Sequence, residues 1–116
     1  MKLAVVAVGH RQPAWVGAGC SEYLKRLPRE LPATVIEVKP EPRGSKTRDQ
    51  LLAAEGGRIR DAVAAGSRLV VLDEKGDDLT TLQLARRLET WMQDGRDTVF
   101  LIGGADGLDS ELKRRA

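Results

Sequence analysis

Apolar residues along this chain fall into four short runs, separated by longer stretches in which they recur with helical spacing. The runs cover residues 3–8, 34–38, 68–72 and 98–102. The first run is apolar throughout, which is typical of a strand that helices cover on both sides. Strands that alternate with helices predict an α/β fold with a mainly parallel sheet and, through right-handed crossovers, helices on both faces.

The first two helical segments differ in the quality of their apolar stripes. The first follows Pro13, ends at Pro28 and has a narrow stripe, whereas the second spans about residues 47–65 and precedes Gly66. Two adjacent glycines lie in the middle of the second segment, and each costs roughly 1 kcal/mol relative to alanine, so we expect a bend or break there. The stripes contain Val16, Cys20, Leu24 and Leu27 in the first segment, and Leu51, Leu52, Glu55, Ile59 and Val63 in the second.

The third helical segment is the best specified. Thr80 and Gln83 have the spacing of a capping box, in which two side chains satisfy backbone N–H groups at a helix start. Asp94 and Gly95 are expected to end this helix. Its predicted inner face consists of Leu84, Leu88, Trp91 and Met92. A short basic helix is expected to begin near Asp109.

Length and composition narrow the class of protein. The 116 residues suffice for one domain with one core, which we place at residues 1–116. No apolar run reaches the roughly 18 residues of a membrane helix, and the opening run is too short for a signal peptide. The one cysteine, Cys20, cannot form an internal disulfide or, by itself, a zinc site. We therefore expect a soluble cytoplasmic protein without a metal.

Charge adds a first hypothesis for function. The formal net charge of +2 only weakly favours an anionic partner, but basic residues are concentrated at residues 39–48 and 113–115. Lysines and arginines in such clusters either contact phosphates or are simply solvated, and the pattern leaves both open. One hypothesis is therefore a non-enzymatic α/β module that binds RNA or protein through these two clusters.

The carboxyl ends of the predicted strands are where open α/β sheets bind ligands. Gly103 and Gly104 follow the last strand, where they let the backbone approach a ligand and adopt φ values closed to other residues, or simply form a tight turn. Leu72 and Asp73 end the preceding strand and offer an apolar contact and backbone groups, or serve as a core residue and a turn residue. We expect the two tips to lie side by side and form one slot.

Five further residues have side chains that could serve a site. His10, the one histidine, follows the first strand and is either a base, an RNA contact or a solvated loop residue. Trp15 and Tyr23 suit a surface or a subunit interface. Trp91 and Cys20 are instead predicted to be buried in the core.

A small nucleotide-binding domain of flavodoxin-like topology is a further hypothesis. Only Gly9 follows the first strand, so no G-x-G-x-x-G motif is present there. Residues 44–47 (GSKT) also lack the earlier glycine of a P-loop. The absence of a phosphate-binding loop from the sequence makes this the weakest of the hypotheses.

Several segments, taken together, resemble one protein family. Residues 2–9 (KLAVVAVG) open the chain, and Pro13, Trp15, Val16 and Gly19 precede EYLKRLP at 22–28. Three later motifs are EG at 55–56, LDEKG at 72–76 and FLIGGADGL at 100–108. In this order and spacing they resemble the ribosomal RNA large subunit methyltransferase H family of the SPOUT class, over essentially the whole chain.

The resemblance implies a specific function. It implies methylation of N3 of a pseudouridine in 23S rRNA of the ribosome, with S-adenosylmethionine as the methyl donor. It also implies a homodimer and an α/β fold with a C-terminal trefoil knot. Leu72, Gly103 and Gly104 match positions that contact the donor in the family, in agreement with the strand-end argument. No catalytic residue is assigned within this stretch.

The family pattern continues beyond the position of Ala116. Members have a further strand, a loop with Leu, Pro and His, and a final helix with Tyr and Arg, which complete the knot, the donor pocket and the active site. We therefore expect this chain to be a truncated form without the knot region. We also expect it to bind the donor weakly or not at all.

Overall fold

The computed structural model describes residues 1–9 and 12–116, which form an α/β fold. Its elements, in chain order, are β1 (Leu3–Val8), α1 (Ala14–Leu24), β2 (Ala33–Val38), α2 (Arg48–Ala62), β3 (Arg68–Leu72), α3 (Thr81–Asp94), β4 (Thr98–Ile102) and α4 (Ser110–Arg115). Three of the four predicted strands have the predicted bounds. The fourth, β2, begins at Ala33 rather than Thr34.

All strand pairs in the sheet are parallel, and the strand order is β2-β1-β4-β3. This confirms the predicted α/β class with a mainly parallel sheet. It also separates the protein from flavodoxin-like folds, in which the order is 2-1-3-4-5. The step from β2 to β3 crosses the full width of the sheet, and it places the ends of β3 and β4 next to each other.

One face of the sheet carries the packed core. Val6 and Leu101, both 0% exposed, belong there to one cluster with Ile59 of α2 and Leu112 of α4, each 1% exposed. Burial of each such side chain contributes about 1.5–3 kcal/mol. Val38, Val99 and Leu108 complete the cluster. Helices α2 and α4 therefore cover the same face.

The opposite face is covered more loosely. Arg68 precedes Leu69, which packs on the core cluster, so its side chain points to the other face. Its guanidinium carbon lies 5.3 Å from the centre of the Trp91 ring, and α3 therefore lies over this second face. The right-handed crossover rule places α1 there too, because β1–β2 and β3–β4 step in the same direction along the sheet. No residue of α1 or α3 is fully buried.

Two predicted core residues therefore lie outside the core. Cys20 is exposed and Trp91 is only half-buried. Helix α1 also ends at Leu24 rather than at Pro28, and Leu27 is 37% exposed. These predictions were wrong because an apolar stripe indicates which side of a helix faces inward, but not how closely the next layer approaches it.

Helix α2 is continuous through its two glycines, so a break at this point, one of the two predicted outcomes, does not occur. A Cβ on Gly56 would lie 3.0 Å from a carboxylate oxygen of Asp109, whereas one on Gly57 would have nothing within 4 Å. Gly56 therefore lets the N-cap of α4 approach α2 closely. A capping box of Thr47 and Gln50, which the sequence analysis missed, starts the helix.

The predicted limits of α3 are confirmed. The Thr80 hydroxyl accepts a hydrogen bond from the Gln83 backbone N–H at 3.1 Å, and the Gln83 side chain accepts one from the Thr80 N–H at 2.8 Å. Gly95 ends the helix with φ of 74°, in the left-handed region that favours glycine. Met92, predicted to face inward, is 38% exposed.

Candidate functional site

The carboxyl ends of β3 and β4 lie side by side, as predicted. Leu72 pairs with Ile102 in the parallel register, so the loops that follow leave the sheet next to each other. These loops form most of a cleft of about 430 Å³. Its wall consists of residues 72–75 and 102–108 with Arg48 and Lys113. The three predicted site residues, Leu72, Gly103 and Gly104, all lie in that wall.

Gly103 and Gly104 form a tight turn whose close contacts explain why both are glycines. A Cβ on Gly103 would lie 2.4 Å from the carbonyl oxygen of Gly107, and one on Gly104 would lie 3.0 Å from Val8 Cγ1. The backbone N–H of Gly107 donates to the Gly104 carbonyl at 3.1 Å and closes the turn. The unusual φ predicted for the glycine pair is found instead at Gly107, where φ is 86°. We call residues 103–107 the glycine turn.

Leu72 lies at the mouth of the cleft and not in the core. Its side chain is 52% exposed, and that of Ile102 is 39% exposed, so the interpretation of Leu72 as a core residue was wrong. Each follows a residue that belongs to or packs against the core cluster, and each therefore points to the loosely covered face. The cleft consequently opens toward that face.

Asp73 is held by an ion pair at the cleft wall. Its carboxylate lies 3.1 Å from Lys113 Nζ, and this hydrogen bond is the main reason why the pKa of Asp73 lies below its ordinary value, although burial opposes it. The Asp73 carbonyl accepts from the Gly76 N–H at 3.0 Å, as expected of a turn residue. Lys113, one of the predicted basic cluster, therefore ties α4 to the tip of β3.

The basic cluster at residues 39–48 contains internal ion pairs. Lys46 within the cluster pairs with the carboxylate of Glu41, and so does Arg58, which lies on α2. The hydrogen bond from Lys46 is the main cause of the lowered pKa of Glu41. Part of the positive charge in this loop is therefore neutralised, which weakens the hypothesis of a dedicated RNA- or protein-binding module.

Further contacts tie the same loop to the glycine turn. A guanidinium nitrogen of Arg43 lies 2.8 Å from a carboxylate oxygen of Asp106. Arg48, the first residue of α2, donates to the Asp106 carbonyl at 3.1 Å. Because Asp106 lies within the glycine turn, the β2–α2 loop braces that turn from the solvent side.

A buried carboxylate lies beneath the glycine turn. Glu55 is 9% exposed, and its Oε2 accepts a hydrogen bond from the Glu41 backbone N–H at 3.0 Å. Its Oε1 would lie 3.3 Å from a Cβ on Gly104. In the sequence, Glu55 is a member of the α2 stripe and of the EG motif at residues 55–56, and neither assigns it to the site. An acid on an otherwise apolar stripe is the signal that could have marked it, because acids are rarely buried without partners.

Of the remaining candidates, Trp15 and Tyr23 are not part of the cleft wall. His10 falls outside the described residues. Trp15 and Tyr23 of α1 are 75% and 69% exposed, as predicted for a surface or interface role. Within residues 1–9 and 12–116, no cluster of His, Cys, Asp and Glu is suited to hold a metal ion. The same residues include no helix with the length and apolar character needed to cross a membrane.

A larger groove of about 1160 Å³ follows β3 along its length. Leu84 and Trp91 of α3 and Leu112 of α4 contribute to its wall, but the glycine turn does not. We assign the candidate site to the smaller cleft, because ligands in open parallel sheets bind outside the carboxyl ends of the strands.

The sequence matches known proteins along its whole length. A family model described as predicted SPOUT methyltransferase matches residues 1–116. A protein of Dechloromonas aromatica named ribosomal RNA large subunit methyltransferase H is 79% identical over 116 residues, which are 100% of this chain and 74% of that protein. Proteins of the same name from Burkholderia thailandensis and Burkholderia ambifaria are 56% and 54% identical over 117 residues, covering 100% of this chain and 75% of theirs. Because both the family model and these identities extend over every residue, the chain belongs to the SPOUT methyltransferases and, among them, to the ribosomal RNA large subunit methyltransferase H family.

Proposed function

We propose that the protein transfers a methyl group from S-adenosylmethionine to N3 of a pseudouridine in 23S rRNA. Family membership supports a methyltransferase, and the names of the relatives refer to large-subunit ribosomal RNA. The observation that carries the proposal is the cleft between the paired tips of β3 and β4. We place the methyl donor there, in contact with Leu72, Gly103 and Gly104.

The residues of the cleft fit such a donor. Its volume of about 430 Å³ is within the roughly 300–1,000 Å³ of small-molecule sites. Leu72 and Ile102 expose apolar surface at the strand tips, which suits an adenine ring. The glycine turn presents backbone rather than bulky side chains, so that its N–H and C=O groups can bind the polar edges of an adenosine.

The charges of the cleft wall also suit this donor. S-adenosylmethionine carries a sulfonium, an ammonium and a carboxylate, so its site needs groups of both signs. The wall contains three acidic side chains and three basic ones: Asp73, Glu74 and Asp106, and Arg48, Lys75 and Lys113. A site for a purely anionic ligand such as a nucleotide phosphate would instead be expected to have an excess of basic groups.

The chemical task of the chain is mainly one of positioning. S-adenosylmethionine would supply a methyl group on its sulfonium: the nucleobase nitrogen would bond to the methyl carbon in line as the C–S bond breaks, and the neutral thioether S-adenosylhomocysteine would leave. The braced glycine turn and the apolar strand tips hold one reactant in a fixed place, and such positioning can supply much of a rate enhancement. The N3 proton must also leave, so the reaction needs a base that accepts it.

Further parts of the proposal concern assembly and location. We propose that the protein acts as a cytoplasmic homodimer on ribosomal RNA. Trp15 and Tyr23 leave two large aromatic side chains exposed on α1, and such residues are enriched in protein interfaces. Light scattering on the protein at micromolar concentration should give the mass of a dimer. The mass of a monomer would contradict this part of the proposal.

Ribosomal RNA from cells provides the direct test of the reaction. We expect 23S rRNA from a strain without the gene to lack N3-methylpseudouridine. Complementation with the unaltered gene should restore the modified nucleoside. Mass spectrometry of the nucleosides after digestion measures both outcomes. If the modified nucleoside persists in the deletion strain, the proposed substrate is wrong.

A matched pair of leucine variants tests the location of the donor site. Leu72 and Leu82 are similarly exposed, at 52% and 60%, but only Leu72 lies in the cleft wall. In the protein as its gene encodes it, we expect Leu72→Asp to weaken donor binding by about tenfold, because full burial of a leucine side chain is worth about 1.5–3 kcal/mol and the donor would cover its exposed half. Leu82→Asp should leave calorimetric donor affinity unchanged. Equal losses of donor affinity in both variants would show that the donor does not bind in this cleft.

A further inference from the structure

Gly104 is enclosed on its inner side by two groups of different chemistry. Val8 Cγ1 would lie 3.0 Å from a Cβ at this position, and Glu55 Oε1 would lie 3.3 Å from it. Both distances are shorter than ordinary van der Waals contact, so any side chain at position 104 would press on these two groups. The turn therefore lies this close to Val8 and Glu55 because residue 104 is a glycine.

Glu55 also holds the loop on the other side of the turn. Its second carboxylate oxygen accepts a hydrogen bond from the Glu41 N–H at 3.0 Å. Glu41 in turn pairs with Lys46 and with Arg58, which lies one helical turn after Glu55 on α2. One buried carboxylate therefore lies next to the Gly104 position with one oxygen and binds the β2–α2 loop through the other.

On the side that faces solvent, further hydrogen bonds join the β2–α2 loop to the glycine turn. Arg43 of the β2–α2 loop and Arg48 at the start of α2 both bind Asp106 of the glycine turn. The β2–α2 loop is therefore bound to Glu55 at Glu41 and, together with the start of α2, to Asp106 at Arg43 and Arg48, so a shift near Glu41 would also move Asp106. The loop and the turn form one braced unit, in which Glu55 is the buried hydrogen-bond acceptor.

We propose that Glu55 is a positioning residue that holds the glycine turn in the conformation that binds the methyl donor. This inference rests on the proposed function of the cleft. Without the carboxylate, the turn and the β2–α2 loop would sample other arrangements, and only the fraction in the binding arrangement would accept the donor. The apparent affinity then falls by that fraction, while the rate of the bound complex does not change.

Steady-state kinetics of the protein as its gene encodes it test this role. We expect Glu55→Ala to raise the KM for S-adenosylmethionine by roughly tenfold, which is the scale of a lost hydrogen bond to a charged acceptor, with kcat at saturating donor nearly unchanged. Glu55→Gln retains an acceptor oxygen and almost the same volume, and should restore most of the wild-type KM. Glu89→Ala, at an exposed position of α3, is the matched control and should leave both constants unchanged.

Three results would overturn the inference. One is a KM for the donor in Glu55→Ala that equals that of wild type. Another is a loss of kcat at constant KM, which indicates a smaller folded fraction and so a purely structural role. A third is a Glu55→Gln variant as impaired as Glu55→Ala. These outcomes are distinct from failure of the proposed function, in which the wild-type protein itself would show no donor-dependent methylation.

Discussion

The two faces of the sheet are packed to very different degrees, although the strands supply apolar residues to both. Under α2 and α4, Leu101 and Leu112 are almost fully buried, at 0% and 1% exposure. On the other face neither α1 nor α3 has a fully buried residue. Apolar strands alone therefore do not produce a dense layer. In the described part of the chain, only the face under α2 and α4 has such a layer, and on that face Gly56 lets Asp109 at the start of α4 lie close to α2.

The candidate site lies on the border between these two faces. The glycine turn is bounded on the packed side, where Leu108 belongs to the core cluster and Glu55 leaves no room for a side chain at Gly104. Leu72 and Ile102 point to the loosely covered side and are exposed. A cleft that is rigid on one side and accessible on the other suits a small ligand, because binding then requires little reorganisation of the protein.

The largest expected effect on stability comes from replacing one leucine on each face by alanine. Leu112→Ala should lower the free energy of unfolding by about 2–5 kcal/mol, because it leaves a cavity in the dense core. Leu88→Ala, in half-buried surroundings on α3, should cost about 1 kcal/mol or less. Urea unfolding of both variants measures the difference. Equal costs would contradict the asymmetry between the two faces.

A second substitution tests how firmly the packed face holds the site. A Cβ on Gly103 would lie 2.4 Å from the Gly107 carbonyl oxygen and 2.9 Å from Leu108 Cγ, so Gly103→Ala must displace backbone. We expect a loss of about 1–3 kcal/mol in the free energy of unfolding, as for other overpacked sites. Donor binding should fall as well, since the turn lines the cleft. An alanine variant with unchanged stability would show that the turn is not held as tightly as these contacts indicate.

The strands and the neighbouring tips could be predicted because each depends on a local pattern or on a general rule. Apolar runs bounded by turn residues locate β1, β3 and β4 to the residue. The rule that ligands bind at the carboxyl ends of parallel strands then selects Leu72, Gly103 and Gly104. The capping box of α3 is likewise encoded within four consecutive residues.

Apart from the capping box of Thr47 and Gln50, which is local, most of the wrong or missing predictions concern contacts between residues that are distant in the sequence. The exposure of Cys20 depends on how near α1 comes to the sheet, which its own residues do not specify. The Asp73–Lys113 pair and the hydrogen bond from the Glu41 N–H to Glu55 join segments that meet only after the sheet has formed. No spacing rule marks such pairs. A charged residue on an apolar stripe is the most that the sequence offers.

The two glycines of α2 allow a smaller test of the packed face. Gly57→Ala should stabilise the protein by about 0.5–1 kcal/mol, because a Cβ there meets nothing within 4 Å and alanine favours a helix. At Gly56 the same change brings a Cβ to 3.2 Å from Asp109 Cβ, so the gain should be cancelled or reversed. Thermal unfolding of the two variants compares them directly. Stabilisation by both would mean that α4 does not press against α2.

The smallest expected effect is the dependence of the cleft on pH. The hydrogen bond from Lys113 lowers the pKa of Asp73 in the folded protein. The stabilisation of the fold by this ion pair is therefore fully present above the Asp pKa of about 3.9 in the unfolded chain. It is lost as the pH falls through the lower pKa of Asp73 in the folded protein. Asp73→Asn should be slightly less stable than wild type at neutral pH, and the two should converge in strong acid, where wild-type Asp73 is also neutral. The effect is small because both partners are partly exposed to water. Urea unfolding across this range measures it, and a difference that stays constant with pH would mean that the ion pair does not stabilise the fold.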